Sequence, residues 1–176
     1  LAVPGVSSGD DMYHSFVLMN SIFGGSMSSR LFQNIREQKG LAYSVYSTNT
    51  FNSRSGFFNI YAGVAHDKIE ETVAAVKEEL ARLTDDGVTE EELSMAKEQV
   101  KSSYIFSLEN MTSLMFSLGR NLLLLDKVFD VDEAIEKYNA VTREDIRRAA
   151  EMIGNTGMYC GAAVSGVDFD LEKLMQ

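Results

Sequence analysis

One cysteine, one proline, two histidines and no tryptophan are spread over the 176 residues of this chain. Cys160 has no partner for an internal disulfide, so the fold must stand without one; a reducing compartment, and hence the cytoplasm, is the expected location. Pro4 alone supplies no proline-rich linker to divide two domains. A chain of this length buries roughly two-thirds of its unfolded surface when folded as one unit, so residues 1–176 are expected to form a single domain. His14 and His66 lie far apart, and the residue four places after His66 is Glu70. Neither His-x-x-Glu-His nor its reverse can be built, and no cysteine pair replaces it, so no metal site is expected from this chain alone. Positive charge is scarce as well. Lys plus Arg is 16 against 26 for Asp plus Glu, giving a net charge of −10 and a pI of about 4.6. Binding to a nucleic-acid backbone needs the opposite balance. Long apolar runs are missing too: Leu122–Leu125 falls far short of the roughly 20 residues that cross a bilayer, so no membrane partner is expected. The chain opens at Leu1 with no charged-then-apolar leader pattern, and it is expected to be an excerpt of a longer polypeptide or a processed chain.

What is present is 45% hydrophobic and 24% charged, the balance of a globular domain. Leu1-Ala2-Val3 reads as the tail of a strand entering a Pro4-Gly5 turn. Asp10 or Asp11 caps a helix whose apolar positions Met12, Phe16, Met19 and Phe23 recur at helical spacing, and Gly24-Gly25 stops it. A short helix follows with Leu31, Phe32 and Ile35 on one side, ending at Gly40. Leu41–Phe51 and Phe57–Val64 alternate with period two and flank the polar turn Ser53-Arg54-Ser55-Gly56, which predicts a β-hairpin. The stripe Ile69, Val73, Val76, Leu80 and Leu83 marks an amphipathic helix. Thr89 with Glu92, and Thr142 with Asp145, cap two more. Met111 to Leu125 presents a broad apolar face, expected in the core together with the methionines generally; Ile135 and Tyr138 mark a short helix. Met158–Ser165 reads as a closing strand with Cys160 as a buried hydrophobe. The predicted class is α+β, a largely antiparallel β-sheet covered on one face by helices.

Two stretches carry more than a fold. Phe23-Gly24-Gly25-Ser26-Met27-Ser28-Ser29-Arg30-Leu31-Phe32 is followed by Ile35-Arg36-Glu37-Gln38-Lys39-Gly40-Leu41-Ala42-Tyr43-Ser44-Val45-Tyr46-Ser47. Together they resemble the signature of the C-terminal, non-zinc ("inactive") domain of pitrilysin/insulinase-type zinc metallopeptidases, in the mitochondrial-processing-peptidase-like branch. Ser55–Gly63, the helix Ile69–Leu83 and Gly87–Lys97 follow the same order, so the resemblance runs along essentially the whole chain. It implies homologous α+β halves paired around a closed chamber, in one polypeptide or on separate chains, with zinc held by the partner half. It also implies that zinc-activated water attacks the peptide there, and that this half supplies an Arg and a Tyr seven residues apart. Here these are Arg36 and Tyr43, assigned as catalytic and substrate-binding residues.

Both have a plainer use. Arg36 near a helix end complements the helix dipole even in plain solvent, although its five-donor fork suits a peptide carbonyl or carboxylate. Tyr43 is expected on the same strand face as Leu41 and Val45, where most tyrosines simply pack; a phenol facing a dry chamber would instead stabilise a developing oxyanion. Tyr46, on the opposite face, is read as a packing residue, Arg30 as a structural pair, and both histidines as surface or capping residues. The expected function is the substrate-binding, non-zinc half of a zinc-dependent peptidase, inactive alone, with a peptide substrate, the zinc-bearing half and a second copy in a homodimer as candidate partners. The alternative is a non-catalytic scaffold or assembly subunit related to these peptidases.

Overall fold

The computed structural model describes residues 1–128, 130–156 and 160–161. β1 (Ala2–Gly5) runs straight through Pro4 and Gly5, which the sequence places in a turn. Proline is tolerated because β1 is the outer strand of its sheet. β2 (Ala42–Phe51) and β3 (Gly56–Val64) form the predicted hairpin, and all pairing is antiparallel in the order β1-β3-β2. Of the expected closing strand Met158–Ser165, only Cys160 and Gly161 lie within the described residues. Cys160 exchanges backbone bonds with Ala2 and is exposed, not buried as expected.

Val3, Val45, Phe58 and Ile60 turn one face of the sheet toward the helices. α1 (Tyr13–Phe23) lies against it, with Phe16, Met19 and Phe23 fully buried and Phe23 set 5.9 Å from the Phe58 ring. Leu18 and Ile22 are buried as well. A helix enclosed on several sides must be apolar nearly all round, and α1 is enclosed by the sheet, α3 and α6. Asp10 Oδ1 accepts the Met12 N–H at 2.8 Å just before the helix begins. α2 (Ile69–Asp85) and α6 (Arg143–Gly154) complete the cover, packing Val76, Leu80 and Ile153 over Val3, Phe58 and Ile60.

α3 (Glu90–Glu109) and α6 both begin with the predicted capping boxes, in which Thr89 and Glu92, or Thr142 and Asp145, satisfy each other's end groups. α4 (Met111–Leu125), capped by Asn110, departs from expectation. Phe116, Leu122 and Leu123 are exposed, Leu123 by 85%. The helix packs chiefly against α3, and no described element covers the rest of its broad apolar face. The methionines follow suit: Met19 is buried, but Met27, Met95, Met111, Met115 and Met152 are exposed. α5 (Val131–Ala140) sets Tyr138 into the core.

Candidate functional site

At the end of α1 the chain must pass very close to β2. The Gly24 carbonyl accepts the Ser47 N–H at 3.0 Å, and a Cβ on Gly24 would stand 2.5 Å from Ser47 Oγ and 2.6 Å from its backbone nitrogen. Its φ of −155° suits any residue, so closeness to the strand, rather than a helix stop, is what demands glycine. Beyond it, Arg30 clamps the segment to the start of α3. Its guanidinium donates to both carboxylate oxygens of Glu92, at 2.7 and 2.9 Å, and to the Gly87 carbonyl at 2.8 Å. Partial burial opposes ionisation of Glu92, but the bonds from Arg30 and Thr89 outweigh it and hold the carboxyl below its usual range. Arg30 is the structural pair expected of it.

From this anchor the chain makes a wide π-helical turn, Phe32–Gln38, closed by Lys39 N–H donating to the Asn34 carbonyl at 3.0 Å. Such turns are uncommon and concentrate at functional sites. Leu31 and Ile35 are fully buried beneath it, which leaves Arg36 on the outer surface. Gly40, at φ +60°, reverses the chain into β2 in a conformation that side chains disfavour.

β2 then opens with a β-bulge. Ala42 pairs with Val64 and Ser44 with Gly63, so Tyr43 is the extra, unpaired residue. Period-two counting puts Tyr43 beside Leu41 and Val45, each 4% exposed, yet Tyr43 is 87% exposed. The bulge re-aims the side chain outward, a recognised use of bulges near sites. Tyr43 therefore meets Arg36: the guanidinium carbon lies 5.8 Å from the Tyr43 ring centroid and 4.7 Å from that of Phe32. Within this range a ring face attracts the cation and orients it. The nearest carboxylate, Glu37, is 3.7 Å from Arg36 Nε in an exposed pair, a contact worth little in water. A bidentate donor and a phenol thus share one patch, both open to a ligand. Tyr46, read from sequence as a packing residue, is exposed and stacked on Tyr61.

The histidines do not converge. His14 packs edge-on to Tyr13 and Tyr138 at 5.1 and 4.9 Å. Burial, helped by Lys137 and opposed by Glu133, lowers its pKa to about 4 and keeps it neutral. It borders a cavity of about 810 Å³, also lined by Tyr104, Arg120, Lys127, Asp130 and Lys137, which no sequence pattern announced. Burial pushes Tyr104 up to about 12 and raises Tyr138 as well. His66 sits exposed in a short turn, His66–Lys68. Among the described residues no three His, Cys, Asp or Glu side chains gather closely enough to hold a metal ion, and none of the helices is long and apolar enough to cross a membrane. The described side chains therefore do not assemble a zinc ligand set.

A family model described as the peptidase M16 inactive domain matches residues 1–100. The chain is 41% identical over 153 residues to a protein of Bacillus subtilis named "uncharacterized zinc protease YmxG", a match covering 87% of this chain and 37% of that protein. A Streptomyces coelicolor protein also named as a zinc protease is 33% identical over 150 residues, covering 85% of this chain and 33% of its own length. Among solved structures, the peptidase M16 inactive domain from Pseudomonas fluorescens superposes with a TM-score of 0.78 at 26% identity, covering 86% of this chain and 36% of that one. A conserved protein from Enterococcus faecalis gives 0.76 at 28%, covering 86% and 35%. The chain spans about a third of the length of each of these relatives.

Proposed function

Since the chain belongs to the peptidase M16 inactive-domain family, we propose that it is the substrate-binding, non-zinc half of a zinc-dependent peptidase. In this reading Arg36 and Tyr43 face a chamber shared with a homologous zinc-bearing half, in the same polypeptide or on another chain. The observation that carries it is the meeting of Arg36 with Tyr43: a π-helical turn and a bulge, both costly irregularities, bring two exposed donors to one patch. The length of the relatives named zinc proteases, of which this chain matches 37% and 33%, leaves room for such a half.

Each donor has a distinct task. The Arg36 fork holds a backbone carbonyl or a carboxylate of the peptide in two places, with its plane steadied by the Phe32 and Tyr43 rings. The Tyr43 hydroxyl donates to the carbonyl oxygen of the bond being cut and stabilises the charge that develops there. Zinc belongs to the other half, and this chain alone hydrolyses nothing.

The test is made on the two-half enzyme. Tyr43→Phe removes one donor and should lower turnover roughly 10- to 1000-fold. Arg36→Lys keeps the charge but loses the fork, so KM should rise more than kcat falls. Circular dichroism and urea midpoints should match the parent, because both side chains are exposed. Full activity in both folded variants would make the pair structural and give the lead to the scaffold reading.

A further inference from the structure

None of the residues of β1, β2 or β3 is charged, in a chain of which 24% is. With one face of that sheet covered by helices, the other carries Tyr46, Thr48, Phe57 and Tyr61, all exposed. Sheet surfaces left to water normally hold charged side chains, which keep them solvated and repel other chains. An uncharged, aromatic face suits a surface that is covered in use. Tyr46 and Tyr61 are direct cross-strand partners, and their rings stack with centroids 5.0 Å apart and planes 25° from parallel.

Each edge of the sheet is engaged at one described residue. On β1, Ala2 exchanges two backbone bonds with Cys160, at 2.8 and 2.9 Å; on β2, Ser47 is bonded to Gly24 at 3.0 Å. A peptide cannot add as a further strand at these points, whereas the face offers it a surface that needs no free edge. Tyr46 follows Tyr43 by three residues, a rise of roughly 10 Å along a strand. The stack therefore lies about three extended peptide residues from the donors of Arg36 and Tyr43.

We propose that this face is a substrate subsite in which the Tyr46–Tyr61 stack receives a bulky aromatic or aliphatic side chain of the bound peptide. The inference rests on the reading of the chain as the substrate-contacting half of a peptidase. An apolar side chain gains buried area and, if aromatic, offset stacking on the tyrosine rings. The electron-rich ring faces disfavour a carboxylate, and the strands offer no carboxylate to pair with an arginine or lysine. The pair also helps hold the hairpin together, so the test has to be blind to stability.

In the two-half enzyme, quenched-fluorescent peptides identical except for Phe, Ser, Asp or Arg at the positions about three residues from the cleaved bond are compared by kcat/KM. At one such position Phe should exceed Ser roughly tenfold, with Asp the poorest. Tyr46→Ala and Tyr61→Ala should bring the Phe-to-Ser ratio close to one, whereas Tyr46→Phe, which keeps the ring, should preserve it. Because each ratio is taken within a single variant, any loss of folded enzyme cancels. A ratio near one in the parent, an unchanged ratio in both alanine variants, or Arg preferred to Phe at every position overturns the proposal. Tyr43→Phe should slow all four peptides together and leave the ratio alone. If it slows none while Tyr61→Ala abolishes selectivity, the assignment of Tyr43 fails and the subsite stands.

Discussion

At the scale of single residues, the patch depends on one unpaired residue: Tyr43 stands outward beside Arg36 only because β2 bulges there. The seven-residue spacing of Arg36 and Tyr43 could be read from the sequence, as could Arg30 as a structural pair. The outward aim of Tyr43 could not, because strand alternation assumes an unbroken ladder and one unpaired residue inverts it. His14 shows the same limit: its position on α1 was clear, but its neutral state depends on Tyr138 and Lys137, far along the chain. That state has a measurable consequence. The unfolded chain takes up a proton on His14 near its ordinary pKa of 6.5, whereas the folded chain refuses it until about pH 4. The folded pKa is the lower one, so stability from neutral His14 is complete above pH 6.5 and is lost as pH falls toward 4. His14→Gln removes this contribution. Urea unfolding at stepped pH should show a shallower decline for the variant across that window, by up to the linkage of one proton. Parallel declines would mean that His14 is solvated in the folded protein.

Elements with their own local signals were legible from end to end. Both capping boxes, the hairpin and the α2 stripe rest on contacts between near neighbours, which spacing reveals. The π-helical turn has no such signature; buried Leu31 and Ile35 below and Gly40 beyond it set its shape through tertiary packing. α4 misled for the opposite reason, since an apolar face says that something covers it without saying whether that is the same chain. The contact of Gly24 with β2 is an element-level device, holding the end of α1 against the strand that carries Tyr43 four residues from the contact. Gly24→Ala should push the two apart and cost about 1–3 kcal/mol, the usual range for overpacking. Chemical denaturation measures that cost directly. In the two-half enzyme the same variant should also lose activity, because β2 would shift under Tyr43. A Gly24→Ala protein as stable as the parent would show that the α1–β2 junction yields freely.

The whole molecule divides its charge unevenly, with an uncharged sheet and an acidic excess on α2, α3 and α5. A surface at net charge −10 attracts divalent cations generally, so weak metal uptake says nothing about a site. A specific zinc site differs in needing three or four ligands in one place, commonly with their second ring nitrogens or oxygens held by neighbours. Here His14 is half-buried among tyrosines on α1 and His66 is exposed beside α2, while Cys160 lies at the edge of the sheet. No two of these share an element, and the described carboxylates do not gather around any of them. Zinc added to the purified chain should therefore leave on dialysis, whereas the two-half protein should retain it. That retention should be unaffected by His14→Gln and His66→Gln, since the proposed function puts the ligands on the other half. One zinc held per chain by this domain alone, and released by either histidine variant, would place the metal here and invert the assignment of the two halves.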